Sequence, residues 1–144
     1  MTTIAYKDGI IAYDSRFTSS DVIEDDDGEK CYIRDGVYFF ISGSVCDYEA
    51  LVDSYFAGVA VRKNIDAMAF VFGGGQLYTT SVHLGKFWVC KERMDVHGAI
   101  GSGRKFALAF MDAGMNAEDA IKGTCKRDIY TGGTVRTCQL SVVK

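Results

Sequence analysis

Asp8-Gly9 splits the start of the chain into two β-type runs, residues 2–7 and 10–14, and no other feature constrains the fold as strongly. The dipeptide tolerates the positive φ of a two-residue hairpin turn, so the beginning of the chain folds back beside Asp14. The N-terminal stretch therefore reads as part of a site rather than as a tail. Proline is absent from the 144 residues, so the 16 glycines must supply most of the turns.

Removal of Met1, which is common before a small residue, would leave Thr2 carrying a hydroxyl and a free α-amine. Such a residue holds a nucleophile together with a base whose pKa is about 7.7–8.0. Acyl transfer then needs no histidine, and the chain has only His83 and His97. The stretch lacks the basic, apolar and small-residue segments of a signal peptide, so the expected location is cytoplasmic.

At 144 residues a single domain spanning 1–144 is expected, with enough chain to bury a core without metal or disulfide staples. A net charge of −3 supplies no basic footprint, which argues against nucleic acid. The five cysteines (Cys31, Cys46, Cys90, Cys125, Cys138) are scattered without CxxC spacing. They read as reduced, mostly buried thiols rather than as zinc ligands or a disulfide framework. No metal, cofactor or membrane partner is expected.

After the first hairpin, residues 16–29 turn polar and acidic and read as a solvated loop. Lys30 leads into a strand, Asp35-Gly36 makes a second hairpin turn, and residues 37–41 form an apolar run suited to a strand buried on both faces. Ser42-Gly43-Ser44 ends it. Residues 47–62 carry the three-and-four apolar spacing of an amphipathic helix, with Asp47, Glu49 and Asp53 near its positive end.

Residues 66–72 read as a strand, Gly73-Gly74-Gly75 as a turn into the next, and residues 87–90 as a continuation of the meander. Residues 96–100 form a further strand. A helix over 104–113 follows, with Ser102 or Gly103 at its N-cap and Gly114 past its end. Asn116 caps a third helix, and residues 134–143 form a final strand. Strands in antiparallel hairpins with helices in separate groups imply sheets with helices packed outside them.

Several of these motifs coincide in one family. Met1-Thr2-Thr3-Ile4, Asp14-Ser15-Arg16, Lys30, Ile41-Ser42-Gly43-Ser44, Ala99-Ile100-Gly101-Ser102-Gly103 and Arg127-Asp128-Ile129-Tyr130-Thr131-Gly132-Gly133 occur in an order and spacing that match nearly end to end. The sequence resembles the proteasome β-subunit and HslV protease branch of the N-terminal-nucleophile hydrolases. The resemblance implies an α+β fold, a four-layer αββα sandwich with two antiparallel sheets inside and helices outside. It further implies a threonine endopeptidase acting on peptide or unfolded protein, as a homo-oligomeric ring fed by an ATP-dependent unfoldase. The chain is short for the family, as in a compact bacterial or phage-borne version.

The resemblance also implies roles. Thr2 would attack the scissile carbonyl with its own α-amine as base. Asp14 would hold Lys30, whose charge lowers the cost of the developing alkoxide and keeps the amine partly neutral. The Gly43 N–H would sit in the oxyanion hole, where such donors are worth about 3–4 kcal/mol of barrier. Ser102, Asp128 and Thr131 would form a hydrogen-bonded shell around the amine. Phe17 to Asp21 and Ser44 to Glu49 would shape the pocket.

An alternative register matches relatives with three leading threonines and puts Met1 at the nucleophile position, which would make the chain a catalytically silent assembly, inhibitor or structural protein. Strand parity favours Thr2. Counted from Thr2, the span to Asp14 is shorter than the family's by an even number, which shortens both hairpin arms equally. A small-molecule amidase on the same fold is a third reading.

Overall fold

The computed structural model describes residues 2–140. Strands β1 (Thr3–Lys7) and β2 (Ile10–Tyr13) form the opening hairpin, with Asp8 and Gly9 both at positive φ (51° and 79°). Next come β3 (Phe17–Ser19), β4 (Val22–Asp25), β5 (Cys31–Arg34) and β6 (Val37–Gly43). A 3₁₀ turn (Val45–Asp47) leads into α1 (Tyr48–Ala57). Strands β7 (Ala67–Gly73), β8 (Gln76–His83), β9 (Lys86–Lys91) and β10 (Gly98–Gly101) follow. Helices α2 (Arg104–Asp112) and α3 (Ala117–Cys125) precede β11 (Arg136–Gln139).

Pairing makes an antiparallel sheet in the order β10-β1-β2-β11, a second in the order β5-β6-β7-β8-β9, and a small β3-β4 hairpin. Side-chain alternation sorts the residues into layers. From the first sheet Ile4, Tyr6, Ile11, Tyr13 and Ile100 face Phe40, Phe70, Phe72 and Leu77 of the second, forming the central core. Each fully buried residue of this size contributes about 1.5–3 kcal/mol, so this cluster is the main hold of one sheet on the other.

On the outer face of the first sheet, Ala5, Ala12 and Ala99 meet Ala107, Met111, Ala117, Ala120 and Ile121 of α2 and α3. The small residues let the helices lie close to the sheet. On the outer face of the second, Phe39, Ile41, Ala69 and Val71 receive Tyr48, Leu51 and Val52 of α1. The result is the expected αββα sandwich.

Three expectations are corrected. Residues 16–29 hold the β3-β4 hairpin rather than an unbroken loop, its turn made by Ser20 at φ 55° where no glycine marks it. The helix expected over 47–62 stops at Ala57, because Gly58 turns left-handed (φ 74°) and its N–H donates to the Ser54 carbonyl. Asp47 is diverted from the helix, accepting from Arg62 and from the Asp66 N–H at 2.7 Å. The final strand covers Arg136–Gln139, and residues 141–143 of the range expected for it lie outside the described residues.

Candidate active site

Continuing the β1 alternation backwards places Thr2 on the face of Ile4, toward the second sheet, and Thr3 on the face of Ala5, toward α2 and α3. The two threonines therefore meet different surroundings. Both are buried, Thr2 at 1% exposure and Thr3 at 0%.

Asp14 follows β2 directly, so the hairpin register delivers it opposite Thr3. Its Oδ1 accepts from the Thr3 N–H at 3.1 Å and from Lys30 Nζ at 2.9 Å. Its Oδ2 accepts from the Gly132 N–H at 3.0 Å and from the Arg16 N–H at 3.4 Å. Asp14 and Lys30 are each fully buried. Burial pushes the Lys30 pKa below its ordinary value, and the charge and hydrogen bond of Asp14 offset part of that. The ammonium also lies 5.3 Å from the centroid of the Phe17 ring.

The second cluster rests on Asp128. Ser102 Oγ donates to Asp128 Oδ2 at 2.7 Å, and Thr131 Oγ1 donates to the same oxygen at 2.6 Å. Thr3 Oγ1 lies 2.7 Å from Thr131 Oγ1 and accepts from the Gly103 N–H at 3.0 Å. With Thr131's proton committed to the carboxylate, the Thr3 hydroxyl must donate to Thr131. The chain of donors thus runs from Gly103 through Thr3 and Thr131 to Asp128.

Thr2 is joined to this cluster by its backbone. Its carbonyl accepts from the Ser102 N–H at 2.8 Å. Gly101 makes that approach possible: at φ +102°, a Cβ there would lie 1.8 Å from the Thr2 oxygen. Ser102 is not the N-cap of α2, a position that Gly103 takes, since its hydroxyl is spent on Asp128.

Gly43 ends β6 at φ +125°, where a Cβ would strike the Asp66 carbonyl at 2.4 Å. It lies on the rim of a cleft of about 350 Å³ with Thr18, Ser20, Ser44, Asp66 and Tyr130. A neighbouring depression of about 440 Å³ shares Thr18, Ser20 and Tyr130 and reaches Asp128. The Tyr48 hydroxyl is buried. Burial raises its pKa, and a contact with the Thr2 side chain, short of a well-formed hydrogen bond, offsets part of the rise.

All seven residues singled out from the sequence thus fall around one end of the sandwich. Thr2, Asp14 and Lys30 surround the start of β1, Ser102, Asp128 and Thr131 its other side, and Gly43 the cleft rim. Thr3 was missed as a participant. The signal was its strand parity, which sets its hydroxyl opposite that of Thr2. Among the described residues no group of three or more His, Cys, Asp or Glu side chains is placed to hold a metal ion. Among the described residues no helix is long and apolar enough to cross a membrane.

No protein-family model matches the sequence, and no curated protein matches it. Solved structures do. The Thiobacillus denitrificans BPH in complex with epoxomicin superposes with a TM-score of 0.71 at 16% identity, covering 99% of each chain. A second structure of Thiobacillus denitrificans BPH scores 0.69 at 18% identity, over 97% of this chain and 98% of that one. The eukaryotic HslV from Trypanosoma brucei scores 0.70 at 18% identity, over 95% and 97%. Over nearly its whole length, then, this chain has the fold shared by BPH and HslV.

Proposed function

We propose that the chain is a threonine endopeptidase whose nucleophile, Thr2, is exposed by removal of Met1. The observation that carries the reading is the sharing of Asp14 Oδ1 between the Lys30 ammonium and the Thr3 N–H. One buried carboxylate thereby ties a cation to the backbone of the residue that follows the nucleophile. A fully buried ion pair is a poor device for stability. Beside a freed α-amine and hydroxyl it has a chemical use.

In the proposed sequence the Thr2 α-amine takes the hydroxyl proton as Oγ attacks the peptide carbonyl. Lys30 stabilises the developing negative charge, and the Gly43 N–H receives the oxyanion. The C–N bond breaks, the leaving amine takes the proton from the α-ammonium, and an ester to Thr2 remains. Water, deprotonated by the same amine, hydrolyses it. Ser102 holds the Thr2 backbone through its N–H, while Asp128, Thr131 and Thr3 fix the wall behind it.

The likeness to HslV and BPH supports assembly into a homo-oligomeric ring acting in the cytoplasm on peptide or unfolded protein, with an ATP-dependent unfoldase as the feeding partner. The test is the intact mass of the protein made in its native host, combined with an epoxyketone such as epoxomicin. The expected result is loss of Met1 and one inhibitor bound through Thr2, abolished by Thr2→Ala. Met1 retained on the working particle, with no adduct, would leave a silent assembly protein instead.

A further inference from the structure

An aromatic side chain lies against each of two groups of the site: Tyr48 touches the Thr2 side chain and Phe17 lies over Lys30. Phe17 lies on β3 at a β-bulge, where the register against β4 shifts between Phe17 and Thr18. A bulge re-aims a side chain. Here the ring turns inward over Lys30 Nζ, 5.3 Å from its centroid, and its centroid lies 6.5 Å from that of Tyr48, the residue in contact with the Thr2 side chain. Gly28 makes the room. A Cβ on Gly28 would come within 2.0 Å of the Phe17 ring.

A carbonyl attacked by Thr2 must approach its Oγ to about 3–3.5 Å. The side chain of the residue that supplies this carbonyl begins two bonds away, so it needs room next to the Thr2 side chain, which touches Tyr48. The Phe17 ring narrows that room from beside Tyr48, the first residue of α1, which is 4% exposed and anchored in the core. The cleft beyond, along Thr18, Ser20 and Gly43, remains open to the rest of the peptide.

We infer that Phe17 is a specificity-determining residue: it restricts the residue whose carbonyl is attacked to glycine, alanine or another small side chain. This rests on the peptidase reading. The Phe17–Gly28 pair acts as a unit, since the ring can lie there only while position 28 has no side chain.

The test uses full-length protein and fluorogenic peptides identical except for Gly, Ala, Leu or Phe at the residue supplying the carbonyl. Wild type is expected to favour Gly and Ala over Leu and Phe by about tenfold or more in kcat/KM, the range that filling or emptying an apolar pocket produces. Phe17→Ala should raise kcat/KM for the Leu and Phe peptides relative to the Gly and Ala peptides by a similar factor, read as the ratio within each variant. Gly28→Ala, which displaces the ring without deleting it, should move the ratio the same way by less.

Binding of the same four peptides to the Thr2→Ala form, with and without Phe17→Ala, reads the pocket by fluorescence anisotropy without chemistry. Absence of cleavage with the size preference in binding intact would refute the peptidase reading and leave the role of Phe17 standing. Equal binding of small and large peptides, or a preference unmoved by Phe17→Ala, would overturn the inference whatever the cleavage result.

Discussion

The two polar clusters flanking β1 hold Thr3 by opposite means. On one side a lysine and an aspartate, both without solvent, form an ion pair whose carboxylate accepts from the Thr3 N–H. On the other, the Ser102 and Thr131 hydroxyls donate to the Asp128 carboxylate through short hydrogen bonds, and the Thr3 hydroxyl donates to Thr131. The ionic side can change the charge felt by an alkoxide. The hydroxyl side can only orient, because its protons are already committed. On the proposed peptidase reading, chemistry and positioning fall to different faces of one strand.

The difference predicts unequal costs. Lys30→Ala strands the buried Asp14 carboxylate and should destabilise the fold by about 3–5 kcal/mol, read by urea denaturation. Adding Asp14→Asn to Lys30→Met removes both charges and should recover most of that stability while leaving the protein inactive. Recovery of activity in that double variant would dissolve the contrast between the two sides.

On the hydroxyl side, Thr131→Val leaves the Thr3 hydroxyl and the Asp128 carboxylate each short of a partner. A loss of about 1–3 kcal/mol is expected. Thr131→Ser should restore stability, since the oxygen rather than the methyl carries the network. A lasting defect in the serine variant would mean that packing holds this side.

A pH titration separates the sides again. The Lys30 pKa is lowered, so between that value and the unfolded one the unfolded chain binds the extra proton. Stability must therefore rise with pH through this window. Peptidase activity should fall over the same window as the ammonium is lost, after rising at lower pH as the α-amine becomes neutral. Denaturation midpoints and kcat measured over one pH series would show the opposed slopes.

The smallest effect concerns the thiol of Cys31, the residue that follows Lys30. Burial, with the Glu29 charge adding to it, pushes the Cys31 pKa up to about 12. Near pH 8, iodoacetamide should modify the exposed Cys46 and Cys90 well before Cys31, as peptide mass mapping would reveal.

Much of this was legible from residues alone where a local rule sufficed. Asp8-Gly9 and Asp35-Gly36 both adopt the positive φ values their turns require. Asn116 caps α3 by accepting the Asp119 N–H at 2.8 Å. The β3-β4 hairpin was hidden because Ser20, not glycine, takes the left-handed position, within a stretch whose acids suggested a loop. The end of α1 was overrun because apolar spacing continued past Gly58.

What the chain determined by itself was the set of alternations and turns, since φ preferences and the two-residue period act within a few neighbours. These suffice for strands, their faces and the delivery of Asp14 opposite Thr3. Which side chains complete the site was decided by tertiary structure alone. Asp128 reaches Ser102 and Thr131 reaches Thr3 only because α2 and α3 pack on the alanines of the first sheet. Phe17 covers Lys30 only because position 28, eleven residues later, leaves its space empty. Such contacts depend on the shape of the packed whole, which no short window of sequence contains.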